Sequence, residues 1–151
     1  MGKFRRRSWE QLQRLVDHRC TRLYGADTET LQAAEVTGIS YAVADRAELR
    51  AVATERLDYD DEALTYGLER MDAGERLIGA GDGDDPVGYA WMSLGCVEIS
   101  MRNFMPSRDT ACIYKVFVVP EARGRRIYPG SYTTILPLAR EHGIRRFTTL
   151  I

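Results

Sequence analysis

Histidine and cysteine are scarce in this chain of 151 residues. The two histidines, His18 and His142, lie far apart, so no metal-ligand spacing is present and no metal is expected. The three cysteines, Cys20, Cys96 and Cys112, are odd in number and form no close pair. That suits a reducing compartment with idle or buried thiols, and hence a cytoplasmic location. No apolar run approaches the roughly 20 residues that a membrane span needs. Lys3 and Arg5 to Arg7 are not followed by an apolar stretch, so a secretory signal is not expected either. No Gly-Lys-Ser or Gly-Lys-Thr occurs, which excludes a nucleotide-binding P-loop. Internal repeats and low-complexity segments are also missing.

What is there is an ordinary globular balance, 44% hydrophobic and 28% charged residues, in a chain long enough for one domain with a real core. Net charge is only −1, but it is segregated. Residues 1–24 carry seven basic and two acidic side chains, residues 25–90 five and sixteen, and residues 91–151 nine and four. The basic last third suits a polyanionic ligand. The acidic middle either draws a cationic amine or simply solvates exposed helices. The Lys3-to-Arg7 cluster lacks interleaved aromatics beyond Phe4, and with a pI near 6.1 it does not amount to a nucleic-acid footprint.

Taken in order, residues 8–24 show an apolar face (Trp9, Leu12, Val16, Cys20, Leu23) at helical spacing, with Ser8 as cap and Gly25 as stop. Residues 36–43 read as a strand. Asp45 and Glu48 form a capping box ahead of a helix over Arg46 to Leu57. Asp60, Asp61 and Glu62 load the start of a further helix that runs to Gly74. A strand over Arg76 to Ala80, a turn over Gly81 to Pro86 and a strand over Val87 to Leu94 predict a hairpin. The turn lacks the ligand pattern of a calcium loop. A further strand is expected over Val97 to Met105, followed by a turn at Pro106 to Asp109. Ala111 to Val119 is the strongest strand signal, and Cys112 within it reads as a buried hydrophobe. A helix over Ile127 to His142 should bend or break at Pro137. Arg146 to Ile151 is a last strand.

Chemistry concentrates between Val116 and Gly130. A strand stops at Pro120, a turn carries Arg123-Gly124-Arg125-Arg126, and a helix follows. Strand, basic glycine-bearing turn and helix together offer free backbone N–H groups and positive charge to a phosphate or pyrophosphate. The run Val118-Val119-Pro120-Glu121-Ala122-Arg123-Gly124-Arg125-Arg126-Ile127-Tyr128 resembles motif A of the GNAT family of N-acetyltransferases. Two positions depart from that motif: Arg126 stands where its second glycine falls, and Tyr128 takes the third position. The resemblance covers roughly residues 36–151 and is specific at 111–130.

The resemblance implies a fold of the α/β (α+β) class, a mixed and mostly antiparallel sheet flanked by helices. It implies a GNAT-like domain over 36–151 that is short of the family's last strands and helix, behind an N-terminal basic extension over 1–35. It implies acetyl-CoA as co-substrate and direct transfer of its acetyl group to an amine acceptor of unknown identity. Val116, Phe117 and Val118 would hold the pantetheine arm, and Arg123, Gly124, Arg125, Arg126, Ile127 and Tyr128 the pyrophosphate. Glu121 would help to shape the turn. Glu98 is the candidate base and Tyr114 the candidate acid. The edge strand at 146–151 would need cover from the N-terminal segment or from a second copy in a homodimer. The alternative is a catalytically degenerate module of the same fold that acts through protein contacts.

Overall fold

The computed structural model describes residues 23–52, 57, 59–94, 97–99, 102–104 and 108–150. Eight strands and three α-helices are present among them. They are β1 (Leu23–Asp27), β2 (Ile39–Ala44), α1 (Arg46–Val52), α2 (Asp61–Asp72), β3 (Arg76–Asp82) and β4 (Asp85–Ser93). The short β5 (Val97–Ile99) and β6 (Arg102–Phe104) follow, then β7 (Thr110–Val118), α3 (Ile127–Glu141) and β8 (Arg146–Leu150).

Six strands form one sheet in the order β1-β8-β7-β4-β3-β2, and β5 and β6 make a separate pair. Every pairing in the large sheet is antiparallel except β7 with β8. This is the expected mixed sheet. Its two faces are covered by different helices. Ile78, Ala90, Met92, Ala111 and Ile113 pack with Ile135, Leu136 and Ala139 of α3. Leu77, Trp91, Cys112 and Tyr114 face Leu49 of α1 and the apolar side of α2. The period-two alternation of β3, β4 and β7 therefore feeds two cores at once.

Local signals set several elements. The Asp45 carboxylate accepts from the N–H groups of Ala47 and Glu48 at 2.7 and 2.8 Å, and Glu48 accepts from the Asp45 N–H at 2.7 Å. This is the expected capping box. Asp60 caps α2 by accepting from the Ala63 N–H at 2.8 Å. The hairpin turn between β3 and β4 is the pair Gly83-Asp84, with Gly83 at a φ of 63°.

Three expectations change. Leu23 and Tyr24, placed at the end of a helix, lie in β1, and the rest of that helix falls outside the described residues. β1 pairs with β8 from Leu23↔Leu150 to Asp27↔Arg146, so the edge of β8 is covered by a strand of the same chain. The single strand expected over 97–105 is a hairpin, β5 and β6, outside the main sheet. And α3 runs unbroken through Pro137. The ring lies on the exposed face, and Thr133, whose carbonyl loses its intrahelical donor, is exposed as well, so water can satisfy that carbonyl.

Candidate acyl-coenzyme A site

β7 and β8 pair in parallel only from Thr110↔Arg146 to Ile113↔Thr149. β8 ends at Leu150, and beyond Ile113 no pairing of β7 with it is present among the described residues. β7 continues to Val118 held on its other side by β4, with Tyr89↔Phe117 and Gly88↔Val118 in register. Among the described residues the backbone of β7 from Tyr114 to Val118 thus has a strand partner on the β4 side alone; we term this stretch the splay. Gly88 allows the close approach of the β4–β7 pair: a Cβ there would lie 2.7 Å from the Phe117 carbonyl oxygen. The stretch begins beside a bulge, where the β4–β7 register shifts between Tyr89 and Trp91 and Lys115 adopts a φ of 46°.

The turn follows directly. Pro120–Ala122 form a 3-10 helix, and the Arg123 N–H closes it onto the Pro120 carbonyl at 3.3 Å. The Arg123 guanidinium folds back, its Nε donating to the Val118 carbonyl at 3.1 Å. Gly124 has a φ of 81° and Arg126 one of 61°. Arg126 is the N-cap of α3 in the left-handed region and makes no capping side-chain bond. A residue with a Cβ costs about 1–2 kcal/mol in that conformation, which is the conformation a glycine would take freely. Among the described residues, no backbone acceptor takes the N–H groups of Gly124, Arg125, Arg126, Ile127 or Tyr128. Those donors sit together at the positive end of α3, a helix of 15 residues.

All nine residues expected to hold the cofactor fall at this end of the molecule. Val116, Phe117, Val118, Ile127, Tyr128 and Ser131 line a narrow cleft at the splay. Burial raises the pKa of Tyr128 well above the ordinary tyrosine range, and its hydroxyl is bonded to Thr149 and Tyr132 at 3.0 Å each. Arg125 donates to the Asp82 carboxylate at 2.8 Å. The Arg126 guanidinium has no acidic partner among the described residues. A bound pyrophosphate fits this set of free N–H groups and arginines.

Neither proton-transfer candidate is among the residues that line that cleft. Tyr114 is 5% exposed, and its hydroxyl donates to the carboxylate of Glu75, which is also paired with Arg70. Burial, reinforced by Tyr66, raises the Tyr114 pKa beyond the usual range. Glu98 belongs to β5, paired with Asn103 of β6, rather than to a strand beside β7.

Sequence reading missed several supports of the site. Gly130, in the first turn of α3, faces Tyr41 of β2 so closely that a Cβ would overlap the Tyr41 hydroxyl. The Arg125–Asp82 pair ties the turn to the β3–β4 hairpin. On the opposite face, a cavity of about 290 Å³ opens between β2–β4 and α1. Tyr59, Tyr89 and Leu77 are among its walls, and Glu48, Asp84 and Asp85 bring carboxylates to it. Tyr89 also borders the splay, its ring stacked on Phe117 at 5.8 Å and edge-on to Tyr59 at 5.1 Å.

A mostly antiparallel sheet with one parallel pair, in which the inner strand of that pair runs through a basic turn into a helix N-terminus, defines the class of fold. The chain belongs to the GNAT acetyltransferase family, whose model matches residues 41–151. No curated protein matches the chain. Among solved structures it is similar to a putative acetyltransferase from Salmonella typhimurium with its cofactor acetyl-CoA, at 19% identity and a TM-score of 0.52, over 75% of this chain and 69% of that one. A predicted acetyltransferase from Clostridium acetobutylicum with acetyl-CoA gives 16% identity and a TM-score of 0.54, over 75% and 80%. AAC(6')-Iy, in complex with the bisubstrate analogue CoA-S-monomethyl-acetylneamine, gives 17% and 0.55, over 74% and 78%. At these identities the likeness establishes the fold. No helix among the described residues is long and apolar enough to cross a membrane.

Proposed function

We propose that the protein transfers the acetyl group of acetyl-CoA directly to the amine of a small cationic acceptor. The observation that carries this is the set of N–H groups from Gly124 to Tyr128, which no backbone acceptor takes among the described residues and which opens α3 beside three arginines. Arg123, Arg125 and Arg126, with those N–H groups, would hold the pyrophosphate. The backbone of Val116 to Val118 would pair with the pantetheine amides as a strand would. Acetyl-CoA supplies the activated acyl group as a thioester. The backbone N–H groups beside the bulge would polarise its carbonyl by donating to the oxygen on which negative charge develops.

The acceptor would approach from the α1–α2 face. The cavity there offers aromatic walls for an apolar body and carboxylates for a positive charge. Tyr89 links that cavity to the splay. Tyr114, immediately before the bulge, remains the proposed acid, with Glu75 as its partner.

Isothermal titration of acetyl-CoA and free coenzyme A into the protein and into Arg123→Ala tests the reading. Micromolar binding that is lost in the variant, with its melting curve still cooperative, is the expected result. No heat and no thermal shift at millimolar ligand would overturn it and leave a module that works through protein contacts.

A further inference from the structure

The chain uses arginine for nearly every cation. Nineteen of its basic residues are arginine, and lysine occurs only at positions 3 and 115. Arginine is not a nucleophile at neutral pH, whereas a lysine amine is one once it loses its proton. Lys115 occupies the bulge of β7, two residues beyond the last pair that β7 makes with β8.

The bulge decides where that amine points. Along β7, Cys112 and Tyr114 face the α1–α2 core, and Ala111 and Ile113 face α3. Strict alternation would send Lys115 toward α3. Its φ of 46° resets the strand, and its Nζ lies 3.8 Å from the ring centroid of Tyr66 on α2. Val116 then packs against the α3 side, while the ring of Phe117 stacks on Tyr89. Two successive side chains, Tyr114 and Lys115, therefore emerge on the face from which the acceptor amine is proposed to arrive. Holding a non-glycine residue in this conformation costs about 1–2 kcal/mol, so the orientation is imposed by the fold.

The surroundings of the amine differ from those of a surface lysine. Among the described residues no carboxylate pairs with it. Its charged neighbour is a cation, Arg70, whose guanidinium lies 5.8 Å from the same Tyr66 ring and is engaged by Glu75. The residue as a whole is exposed, yet burial around the ammonium, followed by the charge of Arg70, lowers its pKa. The Tyr66 ring works the other way by favouring the cation.

We propose that Lys115 is a self-acetylation site, modified by acetyl-CoA bound in the same chain. This rests on the proposed function, because it needs the thioester at the splay. The neutral amine forms an N–C bond to the acyl carbon, and the C–S bond breaks. Coenzyme A leaves as the thiolate with that electron pair, and the proton shed by the amine ends on the thiolate or in water. The product is an Nε-acetyl-lysine, which has lost its charge and with it the attraction to Tyr66. The modification would change the electrostatics of the acceptor face without touching the cradle.

The protein is incubated with acetyl-CoA in the absence of any acceptor, and its intact mass and peptide map are followed. Coenzyme A binding is measured in parallel by titration. Lys3 and the terminal amine serve as references within the same chain. A gain of one acetyl group is expected, with Lys115 favoured over Lys3 by about tenfold or more, the low end of what held geometry contributes. Lys115→Arg should abolish that gain while binding coenzyme A as the parent does. Tyr66→Leu, which removes the ring from the ammonium, should hasten the gain. Binding without modification, or equal labelling of Lys3 and Lys115, overturns this proposal and leaves the proposed function standing. Absence of binding overturns both. A limiting amount of N-hydroxysuccinimidyl acetate supplies a readout free of the cofactor: preferential labelling of Lys115 supports an activated amine, and preference for Lys3 opposes it.

Discussion

Arg125 donates from Nη1 to the Asp82 carboxylate at 2.8 Å, across a separation of 43 residues in sequence. One of the three arginines of the proposed phosphate cradle is thus already neutralised by the β3–β4 hairpin. Both side chains are 43% exposed, so the pair is screened by water and contributes little to stability, about 0–1 kcal/mol. Its larger effect is on the ligand. A pyrophosphate must compete with Asp82 for Arg125 or share it.

Asp82→Asn should therefore tighten coenzyme A binding by about two- to fivefold, the equivalent of a surface pair released. The melting temperature should hardly move. In an Arg125→Ala background the same substitution should give no gain, and this double-mutant cycle assigns the effect to the pair. Titration at low and high salt completes the check, because the gain should shrink as salt screens the freed guanidinium.

Gly130 and Tyr41 make the second support of the cradle. The glycine lets β2 press against the first turn of α3, which carries the free N–H groups. Gly130→Ala should cost about 1–3 kcal/mol through overpacking, and should weaken coenzyme A binding because the helix start is displaced. The Tyr41 hydroxyl is buried and has no hydrogen-bond partner among the described residues. Tyr41→Phe removes that orphan group at nearly constant shape. It should raise stability by about 1 kcal/mol, read as a higher denaturation midpoint at unchanged slope.

The parts of the molecule legible in the sequence are those set by near neighbours. Asp45 and Glu48 announce α1, Asp60 announces α2, and Gly83-Asp84 announces a hairpin, because each acts through backbone within a few residues. The basic turn is legible for the same reason. β1 is not, since Leu23 to Asp27 shows no strand alternation and becomes a strand only by pairing with β8. The break expected at Pro137 fails because the proline falls on the solvent side of α3. Lys115 gives no sign in sequence that it is a bulge. Its placement on the α2 face follows from the register that β4 imposes on β7. The commitment of Tyr114 to Glu75 likewise joins residues 39 apart, and no local pattern carries it.

Alkali should unfold this protein early, and the sign follows from its buried tyrosines. Burial is the first cause that raises the pKa of each of Tyr41, Tyr59, Tyr114 and Tyr128 above the ordinary tyrosine value of 10.0. Above pH 10 the unfolded chain releases those protons and the folded chain keeps them. The unfolded state then binds fewer protons, and stability falls as pH rises, by about 1.4 kcal/mol per pH unit for each fully buried tyrosine. Cys112, raised by burial from 9.0, adds a contribution of the same sign from about pH 9. Lys115, lowered from 10.5, has the opposite sign, because its unfolded form holds the proton more tightly. One lysine does not offset four tyrosines. Denaturant midpoints measured from pH 8 to 11 should be level at first and then drop steeply beyond pH 10. Tyr114→Phe and Tyr128→Phe should each flatten the drop, and an unchanged slope in both would mean that these hydroxyls ionise as freely in the folded chain as in the unfolded one.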